Sequence, residues 1–244
     1  APERRRALDS TLTVDEFEEL QAEAAAKADL EASGVDDGAL LSQDGAMDVE
    51  GEAERVADAA IEASREGADT SCDDVLYVAD ICTGSGCIAV SVEKYAGAAV
   101  TAVDISASAL EIAKKNAERN GTKTSFIRAD ARTFCSLSDL DFVLSNPPYI
   151  ESAVVESLDK RVKSYEPRLA LDGGADGLAF YESIAENAEK MLRIGGVLAV
   201  EIGWNQGKSV SDILKNQFGN SCVLQDLCGK DRVVYSVKNK DSGE

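Results

Sequence analysis

The chain has 244 residues with 25 basic and 45 acidic side chains, a net charge of −20, no histidine and six cysteines. That length allows one large domain or one domain with a small appendage, and a hydrophobic content of 44% excludes wholesale disorder. Without histidine, histidine-dependent triads and the commonest zinc sites are excluded, and no metal site is expected. At the front, Arg4, Arg5 and Arg6 precede no apolar block of signal-peptide length, and there is no initiator methionine. The expectation is a soluble, cytoplasmic protein trimmed at its start. Residues 1–70 carry 20 acidic and 6 basic side chains, so −14 of the net charge lies there and −6 in residues 71–244. This sets the expected division into an acidic helical N-terminal segment, partly linker, and a larger domain over 71–244. Within the segment, Thr13 and Glu16 at capping-box spacing open a helix predicted over 13–32. Residues 33–51, rich in Gly, Asp and Ser, read as linker, and a second helix is predicted over 52–66.

After Asp73, apolar runs alternate with helical patterns, which points to an α/β fold with a mostly parallel sheet. Strands are predicted over 75–81, 99–105, 124–129, 140–145, 196–202, 222–227 and 232–238. Helices are predicted over 87–95, 107–120, 176–193 and 206–217. The last two strands are joined only by Cys228, Gly229, Lys230 and Asp231, too short for a parallel crossover, so they must form an antiparallel hairpin. The cysteines, Cys72, Cys82, Cys87, Cys135, Cys222 and Cys228, have no C-x-x-C spacing and are expected to be free thiols. No run approaches the roughly 18–20 apolar residues of a membrane-spanning helix. A strongly anionic chain repels a phosphate backbone, so direct nucleic-acid binding is not expected either.

The first predicted strand runs into Asp80-Ile81-Cys82-Thr83-Gly84-Ser85-Gly86, with the two glycines in the turn to the next helix. Glycine there allows a ligand to approach the backbone, and the following helix offers free N–H donors. Gly84, Gly86 and Ala89 also fit the dinucleotide pattern G-x-G-x-x-G/A, and Asp104 falls 18 residues after Gly86, where a ribose-binding acid is expected. Nicotinamide or flavin binding therefore stays open on these residues alone. Asp104 could accept both hydroxyls of a ribose, cap the helix that begins near Ala107, or do both. Asp130 ends the third strand, where a cofactor's adenine or a plain turn would suit it.

The fourth strand ends in Asn146-Pro147-Pro148-Tyr149. Two prolines remove backbone donors and fix φ, leaving outward carbonyls without partners beside an aromatic ring. Hydride transfer has no use for that arrangement, whereas transfer to a planar NH₂ group does. The Asn146 side-chain oxygen and the Pro147 carbonyl can accept its two N–H bonds, while Tyr149 stacks on the flat group.

The motif resembles that of methyltransferases acting on exocyclic amines of nucleic-acid bases or on glutamine amides. The strand-helix order resembles the seven-stranded class I S-adenosylmethionine-dependent, Rossmann-like methyltransferase fold, with its antiparallel last strand. Residues 165–181 (YEPRLALDGGADGLAFY), 195–207 (GGVLAVEIGWNQG) and 226–237 (DLCGKDRVVYSV) closely resemble the bacterial peptide chain release factor glutamine methyltransferases. That resemblance covers about residues 75–238. It implies a sheet ordered 3-2-1-4-5-7-6, S-adenosyl-L-methionine as cofactor, S-adenosyl-L-homocysteine as product, and class I release factors as protein substrate, methylated at N5 of the Gly-Gly-Gln glutamine. It implies cofactor contacts from Asp80, Thr83, Gly84, Gly86, Asp104, Ile105, Asp130, Ala131 and Asn146. Asn146, Pro147, Pro148 and Tyr149 would bind the substrate amide, with Asn146, Pro147 and Tyr149 catalytic. Methylation of a base amino group, and a cofactor-binding module without turnover, are the alternatives.

Two features depart from that family. Cys82 stands at the usual first glycine of the cofactor loop and is expected to have a negative φ. Of the family's N-terminal helical domain, LTVDEFEEL (12–20) faintly resembles the last helix, while the aromatic hairpin and the Pro-Arg-Pro-Glu-Thr-Glu-like segment are read as shortened or replaced. At that distance stands MDVEGEAERVADAA, from Met47, and no aromatic residue lies between Phe17 and Tyr77.

Overall fold

The computed structural model describes residues 75–158 and 167–239. The helices expected over 13–32 and 52–66, the intervening linker, the acidic N-terminal segment and Cys72 lie outside the described residues.

Seven strands, β1 (Tyr77–Ile81), β2 (Ala99–Asp104), β3 (Ser125–Arg128), β4 (Leu140–Ser145), β5 (Leu192–Glu201), β6 (Cys222–Gln225) and β7 (Asp231–Val237), form one sheet. Their order is β3-β2-β1-β4-β5-β7-β6, as expected. The first five pair in parallel, and β7 runs antiparallel to both β5 and β6. Alternation of side chains along each central strand feeds two apolar cores, one on each face of the sheet. Val78, Ala102, Phe142, Leu144 and Val197 pack with Ile88, Ala89 and Val92 of helix α1 (Cys87–Ala96). Their neighbours Ala79, Ile81, Val103, Val143, Leu198 and Val200 join the other core, together with helices α5 (Tyr181–Met191) and α6 (Gly207–Phe218). Helix α2 (Ala107–Asn120) is capped by Ser106, whose side chain accepts from the Ala109 amide at 3.2 Å. Ser106, two residues on, thus makes the cap that was one of the alternatives for Asp104.

Two short helices, α3 (Ser152–Ser157) and α4 (Arg168–Leu171), were not foreseen. The helix expected over 176–193 is shorter. Gly177, at φ +72, cannot join a right-handed helix, and Leu192 turns extended to pair with Leu140 and start β5. The hairpin turn between β6 and β7 closes on Asp226, whose Oδ1 accepts from the amides of Cys228 and Lys230 at 2.8 and 2.9 Å. Cys82, Cys87, Cys135, Cys222 and Cys228 are free thiols. Among the described residues, no helix is long and apolar enough to cross a membrane, and no cluster of His, Cys, Asp and Glu could hold a metal ion.

Candidate active site

The strand order reverses at β1 and β4, where neighbouring parallel strands send their following loops apart and open a crevice at their carboxyl ends. The predicted site residues converge there. On the β1 side, Asp80 is fully buried, and its Oδ2 accepts from Thr83 Oγ1 at 2.6 Å and from the Ala89 amide at 3.0 Å. One carboxylate oxygen therefore ties the loop to the first turn of α1. Oδ1 is buried with no hydrogen-bond partner. Burial pushes the carboxyl up from 3.8 to about 7, with a smaller contribution from the Asp104 charge, against the bonds from Thr83 and Ala89.

Asp104 bridges this loop to β2. Its Oδ2 accepts from the Gly84 amide at 2.9 Å and its Oδ1 from the Ser106 amide at 2.8 Å. Each oxygen keeps a second lone pair. A Cβ placed on Gly84 would meet open space, whereas one on Gly86 would lie 2.9 Å from the Ala113 Cβ, so α2 presses on the loop at that point.

Cys82 is a correction: its φ is +63. The bonds around it impose this value. The Thr83 amide donates to the Val103 carbonyl at 3.0 Å and the Gly86 amide to the Thr83 carbonyl at 2.8 Å, turning the chain sharply between β1 and α1. The position adopts a left-handed backbone although a side chain occupies it. The Cys82 thiol packs against the core, and burial, followed by the charges of Asp104 and Asp80, pushes its pKa far up, which disfavours the thiolate.

Beyond β3, Asp130 stands beside Asp104, whose carbonyl accepts from the Ala129 amide at 3.0 Å. Its carboxylate is already engaged by Arg132, Nε to Oδ1 at 3.1 Å and Nη2 to Oδ2 at 2.7 Å, with the Arg132 amide also on Oδ1 at 2.9 Å. These bonds hold its pKa below the usual carboxylate range. The guanidinium lies 5.8 Å from the centre of the Phe180 ring. Ala131 is buried and its carbonyl accepts from Asn187 Nδ2 at 3.3 Å, while Ile105 is 40% exposed at the crevice rim.

On the β4 side, Ser145 Oγ donates to the Ile81 carbonyl at 2.6 Å, and Ser145 is paired with Ile81 in the ladder. Asn146 and Cys82 therefore leave the sheet side by side. Asn146 is half-buried, Pro147 and Pro148 are buried, and the Tyr149 side chain packs against the core. No described residue donates a hydrogen bond to the Pro147 carbonyl. The Tyr149 carbonyl, further along the loop, accepts from Gln206 Nε2 at 3.0 Å.

Sequence reasoning gave no role to the elements that brace this loop. The Ile150 amide donates to the Leu171 carbonyl at 3.0 Å, and the Gly173 amide donates back to the Ile150 carbonyl at 2.8 Å. A Cβ on Gly173 would lie 2.7 Å from the Pro148 carbonyl oxygen, and one on Gly177 would strike the Tyr149 carbonyl oxygen. Behind the loop, the fully buried Tyr181 donates from its hydroxyl to the Glu201 carbonyl at 2.9 Å. The signal was present, since LDGGADG and EIGWNQG carried part of the resemblance, but neither segment suggests a chemical role by itself.

A crevice at the switch point, an acid at the end of β2 and a donor-poor loop after β4 define a class I methyltransferase fold. Residues 71–163 match the family model described as Methyltransferase small domain. Among solved structures, the ribosomal protein L11 methylase from Lactobacillus delbrueckii subsp. bulgaricus superposes with a TM-score of 0.51 at 19% identity, over 77% of this chain and 79% of that one. A methyltransferase from Pyrococcus furiosus gives 0.51 at 16% identity, over 75% and 83%. These likenesses show the fold.

The chain's resemblance to the release factor glutamine methyltransferases holds across this fold. It is 40% identical over 169 residues to the release factor glutamine methyltransferase of Moorella thermoacetica, covering 67% of this chain and 59% of that protein. It is 43% identical over 161 residues to that of Geobacter sulfurreducens, covering 64% and 56%. The chain thus spans less than three fifths of the length of these two relatives.

Proposed function

We propose that this chain transfers a methyl group from S-adenosyl-L-methionine to N5 of a glutamine side chain, that of the Gly-Gly-Gln motif in class I peptide chain release factors, in the cytoplasm. The observation that carries the reading is the junction of β1 and β4. There Ser145 Oγ binds the Ile81 carbonyl and sets Asn146 beside the loop of Asp80, Gly84 and Asp104. The relatives' name, release factor glutamine methyltransferase, supplies the acceptor.

The residues present fit the cofactor. The open space over Gly84 leaves room against the backbone, the unpaired Asp80 Oδ1 awaits a donor, and the Asp104 oxygens keep lone pairs for ribose hydroxyls. Thr83 orders the loop through Asp80, while Gly86, Ile105 and Ala131 would make the remaining contacts with the cofactor. Asp130 contributes through its position beside Asp104, since Arg132 already occupies its carboxylate. The chemistry the cofactor supplies when bound is an electrophilic methyl group, with S-adenosyl-L-homocysteine as product.

On the acceptor side, the Asn146 side-chain oxygen and the Pro147 carbonyl accept the two N–H bonds of the amide, and Pro148 and Tyr149 wall the slot. An amide nitrogen is a poor nucleophile because its lone pair is delocalised into the carbonyl. Two acceptors on its hydrogens raise its electron density and orient the lone pair, so preorganised dipoles supply the catalysis; one of the two hydrogens leaves as a proton to solvent once the nitrogen carries the methyl group, and no tuned base is needed.

The test is transfer of labelled methyl to a full-length bacterial class I release factor and to the same factor with its Gly-Gly-Gln glutamine replaced by alanine. An oligonucleotide serves as the competing acceptor. Label confined to the glutamine-containing factor is the expected result. Label on the oligonucleotide, or label that survives loss of the glutamine, overturns the reading.

A further inference from the structure

We propose that Gln206 is a positioning residue for the amide grip, acting through the Tyr149 carbonyl; the inference rests on the methyl-transfer reading above. Gln206 precedes the first residue of α6, a place where side chains usually cap the helix, yet it makes no cap hydrogen bond. Its amide is turned away from the helix instead. Nε2 donates to the Tyr149 carbonyl at 3.0 Å and to the Gly177 carbonyl at 3.2 Å, while Oε1 accepts from the Gly203 amide at 2.9 Å. The group is 8% exposed, so water is a poor substitute for these partners. Both N–H bonds are spent on carbonyls and the oxygen on a donor, which fixes the amide in a single orientation.

One side chain therefore joins three segments that are distant in sequence: the end of β5, the glycine-rich turn before α5, and the loop after β4. The effect on chemistry follows from the prolines. Between the anchored Tyr149 carbonyl and Asn146 lie Pro147 and Pro148, whose rings lock φ. With φ fixed at both prolines, an orientation imposed at Tyr149 narrows the positions open to the Pro147 carbonyl and the Asn146 side chain, the two groups that would hold the acceptor nitrogen. Gly177 allows the anchor by letting its own backbone lie directly over the Tyr149 oxygen, where any Cβ would collide. None of these bonds touches Asp80, Gly84 or Asp104, so the donor half is independent of the anchor.

The test uses the full chain with two variants, Gln206→Met and Gln206→Glu, assayed on a release factor across pH 6–9, with donor binding followed by calorimetry. Methionine matches the length but donates nothing, so turnover should fall about 10–100-fold at every pH, the scale of a misplaced reacting group. Donor affinity should stay within about twofold. The glutamate variant keeps the shape and can donate only when protonated. Its activity should match the methionine variant at pH 9 and recover toward pH 6, a profile absent from the wild type. A wild type that transfers label, with Gln206→Met keeping pace, overturns this inference alone. So does a donor affinity that falls in step with turnover, because the role would then be structural. A wild type that transfers nothing to the release factor overturns the methyl-transfer reading and this inference together.

Discussion

Replacing Asp80 with asparagine removes a buried charge but keeps an oxygen for the two donors, Thr83 Oγ1 and the Ala89 amide, that now bind Oδ2. The carboxyl titrates near its usual 3.8 in the unfolded chain and at about 7 in the folded one. Between those values the folded state holds a proton that the unfolded state has lost. The corresponding stability is fully present below about pH 3.8 and disappears as pH rises through about 7. At about 1.4 kcal/mol for each pH unit between the two values, the loss amounts to about 4 kcal/mol. The asparagine side chain has no such proton, so the variant should gain on the wild type across that window and keep a constant difference above it. Measured from pH 5.5, above the isoelectric point near 4.4, to pH 8.5, the gain should be about 2 kcal/mol. Urea midpoints followed by circular dichroism, without cofactor, would read it. The contributions of other carboxylates cancel in the difference between the two proteins. A difference that stays flat from pH 5.5 to 8.5 would refute the claim that burial, rather than the Thr83 and Ala89 bonds, governs Asp80.

Asn146→Ala should lower turnover about 100-fold or more while leaving donor affinity nearly intact, because it removes an acceptor that acts on the amide nitrogen; single-turnover assays with calorimetry separate the two effects. Asp104→Ala should act oppositely, weakening donor binding about 10-fold or more, since it removes the free lone pairs and releases the Gly84 and Ser106 amides; an unchanged dissociation constant would contradict the ribose assignment. Cys82→Gly removes the Cβ held at φ +63 and should relieve about 1–2 kcal/mol of backbone strain, offset by the lost packing of the thiol, whereas Cys82→Val adds β-branching to the strain and should lower the urea midpoint.

The sheet was legible because each central strand is a short apolar run bounded by turn residues, a local signal that survives in one sequence. Asp104 and Asn146 were legible for a related reason: each is a polar residue where an apolar strand stops, and that is where a parallel sheet exposes its working end. The conformation of Cys82 was not. Its backbone is set by the Thr83 amide reaching the Val103 carbonyl, a bond to a neighbouring strand that local composition does not encode. At Asp130 the position at the end of β3 was legible but its partner Arg132 was not, since a D-x-R pair in a turn does not reveal whether the guanidinium faces the carboxylate or solvent. Gln206 is the extreme case. It acts on Tyr149 from 57 positions away, and only the folded chain brings the two together.

The two halves of the proposed site are braced by different elements of the fold. The loop proposed to hold the donor is tied within itself by Asp80 on Thr83 and Ala89, and to β2 by Asp104 on Gly84 and Val103 on Thr83. The acceptor loop is held by contacts from residues about 20 to 60 positions away, through Leu171, Gly173 and Gln206. A change in the remote braces can therefore spoil the acceptor geometry while the donor loop stays whole. Donor binding alone is then no measure of activity in this chain, because a form that binds the cofactor normally and transfers nothing is the expected product of damage to the braces. Only the ratio of transfer to donor binding, taken on the same protein, separates a site built without a working acceptor loop from one whose true acceptor has yet to be supplied.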